Sequence, residues 1–446
     1  MPGDFSSRAL ALAEDAARSA ALPELDRTDI PLVTVDPTGS RDLDQAVHIA
    51  TEDDGYLISY AIADVAAFVV AGSALDLELQ SRGETYYFPD ARVPLHPTVL
   101  SEGAASLLPD QVRPAVLWQI RLDAAGDVRG VEVERARVRS RRQLDYAELQ
   151  GLIDAGRPPE AVALLPRVGY LRQLLARGRH AIDLELPAQD VVAVDGGWTL
   201  RFRDDLPVEA CNAEISLLTG SCAGQLMLQA GIGVLRTVPP PSAGAITALR
   251  RIAPALGVRW PAGLAPGDVL ATLRRDDPRH VAFVSHAASL LRGAGYTAFD
   301  GSPPAQPLHA GIGAVYAHVT APLRRLVDRY GSEICLAAHA GTQVPDWVRE
   351  RLPFLPEVMA AADHLAHAAD RAVVDMTEAW LLADRVGEVF DAVVLDAEDH
   401  AATVAVSEPA VRARCVGEHL EPGASIRARL IESSVATRTV RFERVA

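Results

Sequence analysis

Residues 34–47 read TVDPTGSRDLDQAV, and the rest of the chain is organised around how this stretch is read. Three carboxylates, Asp36, Asp42 and Asp44, crowd together, with Gln45 beside the last. Leu32, Val33 and Val35 precede them and Ala46-Val47-His48-Ile49 follows, while Pro37, Gly39 and Ser40 interrupt the backbone between. That pattern places the acids on a loop leaving a strand. Like charges so close repel unless water, a raised pKa or a cation relieves them. Hard divalent ions such as Mg²⁺ take a few carboxylate oxygens and fill the rest of their shell with water and phosphate. A solvated acidic loop meets the same description, because Asp, Gly and Ser are ordinary loop residues.

At 446 residues the chain has room for a large core and for two or three domains. With 49% apolar and 23% charged residues, its composition is that of a soluble globular protein rather than a disordered one. It has no run of about 18 uncharged apolar residues, so no membrane span is expected. Met1-Pro2-Gly3-Asp4 lacks the basic-then-apolar start of a signal peptide, so a cytoplasmic location is expected. Cys211, Cys222, Cys335 and Cys415 form no CxxC pair and read as free thiols in a reducing compartment. A net charge of −16 is unusual for a nucleic-acid binder, and only local clustering of arginine can answer it. Every basic residue is Arg, none Lys; Arg suits bidentate phosphate contact.

Outward from the acidic loop, Phe5 to Ala21 has the apolar spacing of a helix that Pro23 stops. Leu32 to Leu122 is mostly β, with a hairpin signal at Asp54-Gly55. Val131 to Arg142 alternates and ends in Arg139, Arg141 and Arg142, either a solvated edge strand or a phosphate-contacting rim. Leu144 to Leu175 reads as helix broken at Gly156-Arg157-Pro158-Pro159, and a short β segment runs from Leu184 through Phe202. Val208 to Leu228 is helical, and Pro239-Pro240-Pro241 leads to further helices near Ala243–Leu256, Pro266–Arg275 and His280–Leu291. Pro353 to Leu382 predicts a long helix or helix pair; His364 and His367 share a face there, without a third ligand for zinc. After Gly387 the period falls to two. Val411, Ala413 and Cys415 alternate with Arg412 and Arg414, and Ile426, Ala428 and Leu430 with Arg427 and Arg429, which predicts a small OB-type barrel with one basic face.

The order Asp36-Pro37, Arg41-Asp42-Leu43-Asp44, Ala46 resembles the acidic signature of the ribonuclease II and ribonuclease R family. Ile62-Ala63-Asp64-Val65, Gly72-Ser73, Leu75-Asp76, Tyr87-Phe88-Pro89, Pro94 to Pro97, Leu100-Ser101, Ser106-Leu107 and Arg113-Pro114 recur in register with it. Tyr316-Ala317-His318-Val319-Thr320-Ala321-Pro322-Leu323-Arg324-Arg325 is similar to the family's second signature, departing from it at Ala321 and at Leu326. Pro322 leaves Arg324 in the first turn of a helix, where anions are favoured.

The resemblance implies an α+β fold: an N-terminal helical segment (1–30), a large mixed α/β catalytic domain (31–383) and a small OB-type barrel (384–446) that grips RNA. It implies processive 3′–5′ hydrolysis of single-stranded RNA to nucleoside 5′-monophosphates with Mg²⁺, or Mn²⁺ in its place. The partner is RNA with a free 3′ end, with no membrane and no small organic cofactor. By the same resemblance Asp36, Asp42, Asp44 and Gln45 hold metal, and Asp44 and Arg324 are the catalytic pair. Tyr87, Glu214, His318, Thr320 and Arg325 contact RNA, Tyr87 by stacking on the terminal base. Ala213 stands where the family has a second Glu beside Glu214. Gln45 replaces a family Asp, which implies a looser second metal, a higher metal requirement or lost activity. A catalytically silent RNA-binding protein is therefore the rival reading, and a DNA-directed or general phosphoesterase a third. The cold-shock barrels that precede the acidic loop in longer members are not expected here, which predicts weak, salt-dependent RNA binding.

Overall fold

The computed structural model describes residues 1–184, 188–203, 205–274 and 277–445. The start of the β segment expected from Leu184, at residues 185–187, and the end of the helix expected to reach Arg275 lie outside the described residues.

Two closed five-stranded barrels frame the chain. The first comprises β1 (Leu32–Asp36), β2 (Gln45–Glu52), β3 (Gly55–Ala63), β4 (Val112–Leu122) and β5 (Val128–Asp145). Successive strands pair antiparallel until β5 returns to lie parallel to β1, with Asp36 beside Asp145. Tyr60, Trp118, Ile58 and Ile62 on its strands are among the largest fully buried side chains, and the Tyr60 hydroxyl reaches Ser216 at 2.8 Å. The first hairpin turns on Asp53 and Asp54, one residue earlier than the Asp54-Gly55 pair suggests. Gly55 is already a strand residue there, and a Cβ on it would lie 1.9 Å from the Leu122 carbonyl oxygen.

The alternating run Val131 to Arg142 belongs to β5, which pairs with β4 as far as Arg139 and with β1 only from Ser140. Apart from the Asp26 bridge at Arg137, its first part is therefore paired on one side, as an edge strand is. Its arginines are engaged within the protein: Arg137 with Asp26, Arg141 with the Thr28 carbonyl, Arg142 with Glu148.

Helices cover the barrel. α1 (Ser7–Ser19) is capped by Ser6, whose side chain accepts from the Ala9 N–H, and buries Ala9 and Ala13 completely. α2 (Ala74–Arg82), α3 (Pro207–Ala230), α4 (Leu326–Ala340) and α5 (Leu355–Leu382) carry or back the site residues. Gly220 lets the chain cross α3 closely, since a Cβ there would come 2.2 Å from the Tyr316 ring. The expected helices after Pro241 appear as Ala243–Ile252, Pro266–Leu270 and Pro278–Ala287, with their own apolar core of Leu249, Phe283 and Leu290. Among the described residues no helix is long and apolar enough to cross a membrane.

The second barrel comprises β6 (Val389–Glu398), β7 (Ala401–Val406), β8 (Val411–Val416), β9 (Ser425–Ser434) and β10 (Thr439–Val445), around Phe390, Val394, Val404, Leu430 and Phe442. The expected basic face is instead a mixed one. Arg414 pairs with Glu398, Arg427 with Asp391, Arg429 with Glu443 and Arg441 with Glu432. Strand alternation put the arginines on one face, but cross-strand pairing brought an acid to each.

Candidate active site

The acidic loop is pinned from behind. Leu43 is fully buried; its N–H donates to Ser106 Oγ at 3.0 Å and its carbonyl accepts from the Leu107 N–H at 3.0 Å. Ser106 Oγ in turn donates to the Arg41 carbonyl at 2.7 Å. On either side of Leu43, Asp44 meets the partner loop, which carries Leu323 and Arg324, while Asp42 meets Tyr87 and Arg92.

Asp36, at the end of β1, is 7% exposed, and its Oδ2 has no hydrogen-bond partner. Burial pushes its carboxyl up to about 7; Asp42 adds to the rise, while the nearby Thr34 side chain and Arg324 oppose it. Asp44 is deeper still, and burial holds its carboxyl well above the usual range against the pull of Arg324 and the Leu323 N–H. Leu323 N–H donates to Asp44 Oδ1 at 2.7 Å, and Arg324 Nε lies 3.7 Å from Oδ2. Asp42 accepts from the Tyr87 hydroxyl at 2.6 Å and lies 3.4 Å from Arg92 Nη1. Gln45 Nε2 donates to the Thr320 carbonyl at 2.5 Å.

The partner loop is held at nearly every polar atom. Arg324 N–H and Arg325 N–H both donate to the Ala321 carbonyl, at 3.2 and 2.9 Å. Ala321 N–H donates to Asp328 Oδ1 at 2.6 Å, and Thr85 N–H to the Arg324 carbonyl at 2.9 Å. His96 Nε2 reaches the Pro322 carbonyl at 3.0 Å. Arg324 therefore stands in a turn ahead of α4, not in its first turn as expected. The cause is Arg325, which is extended (φ −131°, ψ 126°), bridges Glu84 and delays the helix to Leu326. Arg324 keeps a half-exposed side chain.

Asp36, Asp42, Asp44, Gln45, Thr320, Arg324 and Tyr87 thus meet, Tyr87 being 47% exposed. Arg325 is turned inward, its guanidinium gripped by both oxygens of Asp328 at 2.8 and 2.9 Å. His318 lies behind the loop, bonded through Nδ1 to the Tyr296 hydroxyl at 2.7 Å; burial, with Arg325 next, depresses its pKa well below the usual range. Thr320 is buried, its carbonyl taken by Gln45. Glu214 on α3 is buried, which raises its carboxyl, and its charged neighbours are Arg172, Arg179 and Asp183 rather than the acidic loop. Sequence reasoning missed Arg92, His96 and Ser106. Arg92 was within reach of a hairpin reading, since it pairs directly with Tyr87 across a two-stranded ladder.

The donor set suits a hard divalent ion. It is all oxygen, and Asp36 offers a buried carboxylate oxygen that nothing in the protein satisfies. Among the described residues no three His, Cys, Asp or Glu side chains already close around one point. Asp42 is turned onto Tyr87 and Arg92, and Asp44 onto Leu323 and Arg324.

The RNB domain matches residues 25–336, and the C-terminal S1 domain of RNase II-type exonucleases matches residues 388–445. The chain belongs to the RNB family. Among RNB relatives, the Ribonuclease R of Escherichia coli is 26% identical over 418 residues, covering 88% of this chain and 51% of that one. The Ribonuclease R of Acidithiobacillus ferrooxidans is 36% identical over 151 residues, 33% of this chain and 34% of that one. The chain spans about half the length or less of these curated relatives. Mycoplasma genitalium RNase R, solved in complex with ribose-methylated single-stranded RNA, superposes with a TM-score of 0.88 at 20% identity, over 99% of this chain and 76% of that one. Yeast Ssd1, described as a pseudonuclease, superposes at 0.70 with 17% identity, over 98% and 54%. At these identities the likeness is one of fold.

Proposed function

We propose that the chain is a metal-dependent exoribonuclease that hydrolyses single-stranded RNA processively from a free 3′ end to nucleoside 5′-monophosphates. The observation that carries this reading is the meeting of Asp44 with Arg324 at 3.7 Å, which sets a cation site against a phosphate-neutralising arginine. Simple RNA binding has no use for buried carboxylates at that point.

Asp36, Asp42 and Asp44 would hold Mg²⁺, or Mn²⁺ in its place; Gln45, expected from the sequence as a fourth ligand, has its amide on the Thr320 carbonyl and receives no metal in this reading. Bound there, the ion supplies a Lewis acid that lowers the pKa of the attacking water and offsets charge on the phosphate. Arg324 projects from a fixed turn and neutralises charge on the non-bridging oxygens as water attacks in line. Tyr87 offers its ring to the terminal base, and its hydroxyl orients Asp42. We assign His318, Thr320 and Arg325 to holding the partner loop in shape, at one remove from RNA. Glu214 receives no RNA contact in this reading.

We place the catalytic domain at residues 31–383 and the RNA-gripping barrel at 384–446. The four free cysteines fit a reducing cytoplasm.

The test is to incubate 5′-labelled RNA and DNA oligonucleotides with Mg²⁺ and with Mn²⁺. A descending RNA ladder is expected, and Asp44→Asn should abolish it while leaving RNA binding. RNA that shifts in a gel but stays intact would favour the silent binder, and loss of DNA the phosphoesterase.

A further inference from the structure

Gln45 is the neutral residue that follows the three aspartates of the acidic loop, and the structure shows what it does. Its amide nitrogen lies 2.5 Å from the Thr320 carbonyl oxygen. The partner fixes which end of the amide points there, because an amide oxygen facing a carbonyl would repel it. A carboxylate at this position has no hydrogen to donate and would meet the carbonyl with charge. Next to it, Leu323 N–H donates to Asp44 Oδ1. Acidic and partner loops are thus tied at adjacent residues of one and at both ends of the turn that bears Arg324.

The charges in the cavity point the same way. Asp36, Asp42 and Asp44 face the guanidinium groups of Arg92 and Arg324. One divalent ion and one phosphodiester bring that set to neutrality. A second ion would leave an excess of two positive charges, and the next carboxylate, Glu102, is already shared between Arg92 and Arg41. The unpartnered oxygen of Asp36, itself buried, marks where a single ion finds an unused donor.

We infer that Gln45 is a positioning residue whose amide latches the acidic loop to the 320–324 turn, and that the site takes one divalent cation per chain. This rests on the exoribonuclease reading. Gln45 puts an amide hydrogen into the latch and adds no charge to the site, so it brings no carboxylate for a second ion.

The experiment counts Mn²⁺ by electron paramagnetic resonance on the full chain saturated with a ribose-methylated RNA oligonucleotide. One ion per wild-type chain is expected, and two in Gln45→Asp. Two in the wild type, or one in Gln45→Asp, overturns the single-ion assignment. RNA bound with no Mn²⁺ at all overturns the exoribonuclease reading itself. Gln45→Leu and Gln45→Glu, which both lose the amide N–H, test the latch. On cleavable RNA each should lower kcat about tenfold, with KM and the Mn²⁺ concentration for half-maximal rate within about twofold of wild type. An unchanged kcat, or a Mn²⁺ requirement that rises in Gln45→Leu and falls in Gln45→Glu, would show that position 45 is a ligand and overturn the latch.

Discussion

The backbone N–H of Leu323 donates to Asp44 Oδ1 at 2.7 Å, joining two loops 279 residues apart in sequence. The bond does two things at once. It lets a deeply buried carboxylate carry charge, because a hydrogen bond to the ionised form offsets part of its desolvation. It also fixes the turn that carries Arg324, so the arginine meets a phosphate without first losing freedom of the backbone.

Arg324→Ala should lower kcat by roughly 10²–10³, as removal of one preorganised charge-stabilising donor does elsewhere, with a smaller rise in KM. Arg324→Lys restores charge but not the planar fork, so it should recover only part of the loss. Single-turnover rates on a short RNA give the comparison. Equal losses in Arg324→Ala and Arg324→Lys would show that geometry alone matters at this position.

Asp36 makes the metal-free protein sensitive to pH. Its carboxyl lies at about 7 when folded against an ordinary value of 3.8, so the folded state holds the proton more tightly than the unfolded one. Its contribution to stability is therefore full below the ordinary value and is lost as pH rises through about 7. At about 1.4 kcal/mol per pKa unit the loss has an upper bound near ~4 kcal/mol. In EDTA, Asp36→Asn should flatten this slope and melt higher than wild type at pH 8. Adding Mg²⁺ should raise the wild-type melting temperature and leave Asp36→Asn little changed. A wild-type slope identical to that of Asp36→Asn would place the unsatisfied carboxylate elsewhere.

Arg414, Arg427, Arg429 and Arg441 of the second barrel each share their charge with an exposed acid. Replacing Asp391, Glu398, Glu432 and Glu443 by their amides should free Arg427, Arg414, Arg441 and Arg429 for phosphate. RNA affinity at low salt should rise, and the plot of log affinity against log salt should steepen by about 0.7 for each new phosphate contact on a single strand. Fluorescence anisotropy across a salt series measures both. An unchanged slope would mean that RNA does not use this face.

Arg329 and Asp76 form a pair buried from water, Nη1 to Oδ1 at 2.6 Å, with Arg329 Nη2 on the Val69 carbonyl and Asp76 Oδ2 receiving the Gly72 N–H. The pair fastens α4 to the chain around α2. Asp76→Ala strands a guanidinium in the core and should cost about 3–5 kcal/mol, read as a drop in the urea midpoint. Asp76→Ala with Arg329→Met should recover a large share. A double variant no better than the single would show that the loss comes from the Gly72 and Gln80 contacts of the Asp76 carboxylate instead.

Much of the molecule was legible from short stretches. The β2–β3 hairpin, α1, α3, the long α5 and the alternating strands β8 and β9 of the second barrel all follow from periodicity and turn residues. Where the reading failed, the missing information was always a neighbour far along the chain. Val131 to Arg142 pairs along one side first and along the other only from Ser140, a switch that alternation does not report. Arg324 looks helical because Pro322 precedes it, yet Arg325 is drawn out of the helix by Glu84. The second barrel looks basic on one face because the acids opposite lie on other strands.

The sequence by itself determined the elements, the acidic loop, the arginine signature and the family, since each rests on residues close enough to be read together. Only the tertiary structure decided that Asp44 meets Leu323 and Arg324, that Gln45 spends its amide on Thr320, and that Arg325 faces Asp328 instead of solvent. Those outcomes depend on barrel closure and on the packing of α3 and α4. Closure and packing determine which polar atoms are buried together, and burial sets which of them must find partners.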